Sequence, residues 1–231
     1  MSFTTIARSK TEPYWEGSFG HPFIKELQKG SLDEKIFRYY LIQDDYYLMH
    51  FSRLYQLVGD KADDQYLKDL LYTNAHDLKI GEQAIREVFF DQLGIDPNAS
   101  SHTKIAPTAY HYVSHMYRQL SESNAAIAAA SLLPCAWLYH DIGEQLIKQG
   151  SPTPIYQQWI ETYATEEATQ KLNSECQVLN RHYDNSSLED QQKMVNAFVI
   201  SSQMEYAFWE MAYTFETWPE GNLDYVNTIQ Y

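Results

Sequence analysis

Three side chains carry chemistry that is at odds with their neighbours: Cys135, Asp44 and Glu205. Cys135 follows Pro134 inside "SNAAIAAASLLPCAWLYHDIGEQL", a stretch without a charge from Ser123 to Tyr139. Proline within a helix deprives the carbonyl four residues earlier, here Ala130, of its donor and bends the axis. Such a bend opens room beside Cys135, and Tyr139, one turn further, shares that face. A thiol there acts as a nucleophile once a base or proton shuttle activates it. Without one it is a small inert apolar residue. His140, five residues on, turns well away from Cys135, so the activating group must come from elsewhere in the fold. Cys176 lies in a polar helix and has no comparable setting.

Asp44 stands in "YLIQDDYYLMHF" with Tyr47 three residues on, and Glu205 in "FVISSQMEYAFWEMAY" with Phe208 three residues on. Helices this aromatic are buried, and a buried carboxyl needs a hydrogen-bonding partner or a function. A bond to Tyr or His is the plain alternative for each. Asp45 falls off the aromatic face and is expected in solvent.

Elements that would hold these groups are helical almost throughout. "SLDEKIFRYYLIQDDYYLMHFSRLYQLVGD" has Ser31 and Glu34 at capping-box spacing, with Ile36, Tyr39, Tyr40, Gln43, Tyr47, His50 and Leu54 recurring at three- and four-residue steps. Residues 62–93 read as one further long helix. "QLGIDPNASSHTKIAP" reads as a loop, after which Pro107 opens "TAYHYVSHMYRQL" at the first helical position. The Cys135 helix follows, up to Gly150. "IYQQWIETYA", "EEATQKLNSECQVLNRHY" and a closing helix from the Ser186–Glu189 capping spacing to Trp218 complete the chain. Alternating strand patterns are almost absent, and no linker is long enough to divide it. The expectation is one all-α domain over residues 1–231, with about eight or more helices.

Nine Gly and eight Pro in 231 residues leave few turns, in keeping with long helices. A net charge of −14 argues against nucleic acid, whose phosphates would be repelled, and against an anionic membrane surface. Nineteen Tyr against ten Phe favour a site that stacks on a small polar ring and hydrogen-bonds it. The opening residues lack the apolar core of a secretory signal, and two Cys make no disulfide framework, so a reducing, cytoplasmic setting is expected. The uncharged stretch ending at Tyr139 is of borderline length for a bilayer and reads better as a buried core helix. No His has Glu three residues before it, and H-E-x-x-H, P-loop and G-x-S-x-G patterns are absent. His21 in "FGHPF" is a conceivable haem ligand.

Five blocks in order, "RYYLIQDDYYL", "PTAYHYVSHMY", "LLPCAWLYHDIGE", "YQQWIETYA" and "EYAFWEMAY", resemble thiaminase II, the TenA-type aminopyrimidine aminohydrolases, across essentially the whole chain. The resemblance implies a haem-oxygenase-like helical bundle without haem, a homotetramer and no metal or organic cofactor. It implies hydrolysis of 4-amino-5-aminomethyl-2-methylpyrimidine to the 5-hydroxymethyl compound and ammonia, cleavage of thiamine at the same methylene, and a place in thiamine salvage. In its terms Cys135 is the nucleophile and Glu205 the acid/base. Asp44 reads the pyrimidine's amino group and ring nitrogen, and Tyr47, Tyr112, Tyr139, Tyr163 and Phe208 line the pocket. The alternative is a non-catalytic helical protein that uses the same pocket to bind a pyrimidine or thiamine, or to regulate.

Overall fold

A computed structural model describes residues 1–219. Eleven α-helices and one π-helical turn are found among them, and no strand. The helices are α1 (Phe3–Gly20), α2 (Pro22–Lys29), α3 (Glu34–Lys61), α4 (Gln65–Asp77), α5 (Gln83–Leu93), α6 (Ala99–His102), α7 (Pro107–Glu122), α8 (Ala125–Leu146), α9 (Pro154–Tyr163), α10 (Glu166–Asp184) and α11 (Leu188–Thr214).

The centre is α8. Asn124 caps its start, accepting from the Ile127 amide, and the Ala-rich run that follows is buried on every side. That is the pattern of a core helix. Its length and composition would suit a bilayer, but α3, α7, α9, α10 and α11 wrap it instead. Pro134 sits inside the helix without ending it. The Ser201 hydroxyl of α11 donates to the Ser131 carbonyl at 2.7 Å, next to the carbonyl that Pro134 leaves without its helical donor. This bond stitches the two helices together one turn before Cys135.

On α3, Phe37, Tyr40, Asp44, Tyr47, Phe51, Leu54, Tyr55 and Val58 are buried, a stripe at three- and four-residue steps facing the core. The Gln43 side chain, fully buried, accepts from the Ala106 amide at 2.8 Å and so ties the start of α7 to α3. The other side of that start is held by the carboxylate of Glu216, which accepts from the Thr108 amide at 3.0 Å. Phe215, in the left-handed conformation at φ 54°, turns the chain after α11 toward α7.

Several boundaries differ from the sequence reading. Asp33 rather than Ser31 caps α3, accepting from the Lys35 amide, and Ser187 rather than Ser186 caps α11. Capping-competent residues lie side by side at both places, and spacing alone does not choose between them. The run 62–93 is broken by a π-helical turn at Leu78–Glu82. A short helix, α6, interrupts the expected loop, α8 ends at Leu146 rather than near Gly150, and α11 ends at Thr214 rather than Trp218. His21 is the N-cap of α2. Its Nδ1 accepts from the Phe23 amide at 3.1 Å and its Nε2 faces Glu210 at 3.1 Å, so both ring nitrogens already have partners. The haem-ligand reading of His21 therefore fails.

Candidate active site

Four helices bring the three sequence-marked groups together. Asp44 comes from α3, Cys135 from α8 and Glu205 from α11, while α7 supplies Tyr112. Cys135 is 9% exposed and Glu205 2%. The thiol and the Glu205 carboxyl, seventy residues apart in sequence, are hydrogen-bonding partners. Tyr112 Oη donates to Glu205 Oε1 at 2.6 Å. Burial is the main cause that pushes the Glu205 carboxyl up, to about 8, and the negative charge of nearby Asp44 adds to it. The hydrogen bonds from Tyr112 and Cys135 pull the other way and are outweighed. A carboxyl in this range holds a proton at neutrality and can release it, as a proton shuttle must.

Cys135, Asp44, Tyr139 and Tyr163 line a cavity of about 470 Å³. Tyr47, Tyr112 and Phe208 stand behind that lining with Glu205. Tyr47 packs on Tyr112 at 4.9 Å and on Phe208 at 5.9 Å between ring centres, closing the back of the thiol's compartment. Tyr139 and Tyr163 lie 4.9 Å apart as an aromatic corner, braced by Trp209 and Trp159. Such paired rings suit stacking against a flat heteroaromatic ligand. All eight sequence-marked residues thus converge, four on the cavity surface and four directly behind it. His140 also reaches the cavity wall, but its Nε2 bonds Thr169 at 2.8 Å, as its helical offset from Cys135 requires. Asp45 is half-buried rather than fully solvated.

Two features escaped the sequence reading. Tyr40, fully buried, bonds the Tyr139 hydroxyl at 3.1 Å, and both phenols feel the Asp44 charge. Its place one turn before Asp44 on the same face was the available signal. The second is the far end of the cavity, where Tyr55, Asn74 and Glu175 meet.

The sequence profile of the TENA/THI-4/PQQC family matches residues 8–215. The chain belongs to this family. A relative named aminopyrimidine aminohydrolase from Bacillus subtilis (strain 168) is 39% identical over 220 residues, covering 95% of this chain and 93% of its own. Among solved structures, the TenA homologue from P. horikoshii OT3 superposes with a TM-score of 0.84 at 24% identity, covering 93% of this chain and 99% of its own. A domain with a heme oxygenase-like fold from Shewanella denitrificans os217 gives a TM-score of 0.62 at 15% identity, covering 93% of each chain. The all-α, haem-oxygenase-like fold expected from the sequence is thereby borne out. TenA-family membership is consistent with the five sequence blocks, each of which lies in a helix around the cavity.

Proposed function

We propose that this TenA-family protein hydrolyses 4-amino-5-aminomethyl-2-methylpyrimidine to its 5-hydroxymethyl counterpart and ammonia, and cleaves thiamine at the same methylene. The observation that carries this is the meeting of a thiol, a proton-holding carboxyl and a second carboxyl at one aromatic-walled cavity. The similarity to a relative named aminopyrimidine aminohydrolase supports the substrate class.

The bond to be broken joins a ring-bearing CH₂ to nitrogen, and an amine is a poor leaving group. Cys135, as its thiolate, adds to an electrophilic ring carbon beside the protonated Glu205, which ends the ring's aromaticity. Electrons returned from the ring expel the nitrogen, which receives the proton of Glu205 and departs as ammonia. Water adds to the exocyclic methylene and gives its proton to the Glu205 carboxylate. Sulfur then leaves as the thiolate and the ring regains aromaticity, with Glu205 protonated as at the start. One water is consumed and one ammonia released, with the protein unchanged. Asp44 faces the N–C–N edge of the pyrimidine, where a carboxylate makes paired hydrogen bonds. Tyr139 and Tyr163 hold the ring, while Tyr47, Tyr112 and Phe208 exclude water behind the thiol.

The same reading makes the protein a cytoplasmic homotetramer in thiamine salvage. Two cysteines that form no disulfide accord with a reducing compartment, and exposed Tyr66, Tyr110 and Ile200 give apolar surface for subunit contacts. Purified protein incubated separately with the aminopyrimidine and with thiamine, with products identified by mass spectrometry, tests the activity. Binding of the pyrimidine without any product would leave a binding or regulatory protein instead.

A further inference from the structure

The cavity extends well past Cys135. Its far wall is built by Tyr55 of α3, Asn74 of α4 and Glu175 of α10, with Leu48, Phe51 and Leu172 between the two ends. Asp44 and Tyr55 are eleven residues apart on α3, about 16 Å along the helix axis. A one-ring aminopyrimidine held at Asp44 does not reach that far, and thiamine, whose charge is on its thiazolium ring and whose far end is a hydroxyl, brings no ammonium to it.

That end is polar and buried. Glu175 is 7% exposed and accepts from the Tyr55 hydroxyl at 3.3 Å and from the Asn74 amide nitrogen. Asn74 is 6% exposed, and its Oδ1 has no hydrogen-bond partner among the described residues. A buried acceptor without a donor is unfavourable, and here it belongs to a residue on the cavity wall. The surrounding lining is acidic. Asp77, Glu167 and Glu175 face a single lysine, Lys171, whose ammonium is already bound by Asp77 at 2.6 Å and Glu167 at 2.7 Å. Acceptors in acidic surroundings select a cationic donor.

We propose that Asn74, Glu175 and Tyr55 form a second polar subsite for a primary ammonium group carried on an extended substituent of the pyrimidine's 5-methylene. This rests on the reading that the pyrimidine ring lies at Asp44 and Cys135. An ammonium there gives Asn74 Oδ1 its missing donor and Glu175 a counter-charge. Burial pushes the Glu175 carboxyl up to about 7, so the site ionises readily when a cation arrives. Hydrolysis then accommodates amines larger than ammonia as leaving groups, with the distal trio setting which ones.

Two pyrimidines test this by calorimetry. Each bears at its 5-methylene a carbon-linked chain that cannot be cleaved, one ending in a primary amine and the other in a methyl group. The wild-type protein should bind the amine-ended ligand at least about tenfold more tightly, the scale of one charged hydrogen bond. Glu175→Gln, Asn74→Leu and Tyr55→Phe should shrink that ratio, Glu175→Gln to within about twofold. Because the readout is a ratio, a variant that merely loosens the cavity weakens both ligands and leaves it unchanged. Should Asn74→Leu not fold, the isosteric Glu175→Gln and the wild-type comparison decide. No preference in the wild type, or one that survives all three substitutions, overturns the subsite. Failure of the 5-hydroxymethyl pyrimidine itself to bind overturns the underlying pyrimidine reading, and is seen in a separate titration.

Discussion

Tyr112 of α7 donates its phenolic hydrogen to Glu205 of α11 at 2.6 Å, and this bond holds a buried acid that also hydrogen-bonds the Cys135 thiol. It favours the ionised carboxylate, in opposition to burial and to the Asp44 charge. Removing it with Tyr112→Phe leaves only the weaker Cys135 hydrogen bond to oppose burial and the Asp44 charge. The Glu205 carboxyl should therefore move above about 8. If its protonated form expels the amine, the alkaline fall in kcat should shift to higher pH. A pH–rate profile checks this, and a shift toward acid would assign that limb to another group.

The two cysteines should separate cleanly. Cys135→Ser removes the soft nucleophile and should fold and bind pyrimidine while losing nearly all turnover. Cys176 is held un-ionised by burial and by the neighbouring Glu175 and Asp141 charges, its thiol pushed up to about 12. Cys176→Ser should therefore be close to silent. Steady-state ammonia release from both variants decides, and near-normal hydrolysis by Cys135→Ser would remove the covalent route.

Much of this arrangement was legible before the fold was known, for identifiable reasons. Asp44 and Glu205 stand out because their neighbours are aromatic, and Cys135 because a helical proline precedes it. Glu175 does not stand out. Its surroundings in "KLNSECQ" are polar, so a fully buried carboxyl there looks like an ordinary surface charge until α3 and α4 close over it. The π-helical turn at Leu78–Glu82 was hidden for another reason. A change from four- to five-residue bonding needs no Gly or Pro signature, and it still brings Leu78, Ile80 and Gly81 to the cavity wall. Helix α1 buries Thr11 and Ser18 along with Phe3, Ala7 and Trp15, so its apolar periodicity is weak.

Asp44 should govern binding as well as rate. It is 8% exposed on the cavity wall, and Asp44→Ala leaves the amino and ring-nitrogen groups of the bound pyrimidine unpaired. The expected loss is about 1–3 kcal/mol, more if the pair is charged. Calorimetry with the hydroxymethyl product measures it, and an unchanged Kd would contradict the assigned contact. The same substitution removes a charge that raises Glu205, so that carboxyl should fall.

Gly143 has a packing task. A Cβ at this position of α8 would lie 2.8 Å from the Tyr163 carbonyl carbon and 3.0 Å from the Ala164 amide nitrogen. Backbone cannot swing aside as a side chain does, so Gly143→Ala must push the end of α9 away from α8. Overpacking of this kind costs typically about 1–3 kcal/mol. Tyr163 would move with it, taking one wall of the aromatic corner. A lower Tm together with a raised KM is expected. A lower Tm with KM unchanged would show that Tyr163 does not position the ring.

Glu205→Gln tests catalysis and stability through one atom. The amide keeps the volume but carries no transferable proton, so turnover of the aminopyrimidine should fall at least ~100-fold, in line with general acid–base contributions. Thiamine's thiazolium leaves more readily than ammonia and needs the acid less, so its cleavage should suffer less. Equal loss on both would place Glu205 on the ring nitrogen or the water instead. Stability carries an independent sign. A carboxyl raised from 4.5 to about 8 binds its proton more tightly in the folded chain than in the unfolded one. That stabilising preference is fully present below about 4.5 and is lost as pH rises through about 8, where the carboxyl must ionise in a buried setting. The glutamine pays no such ionisation cost. The Tm difference, variant minus wild type, should therefore grow more positive from pH 5 to pH 9. A difference that shrinks over that range would mean that the native site favours the ionised Glu205, against the burial that surrounds it.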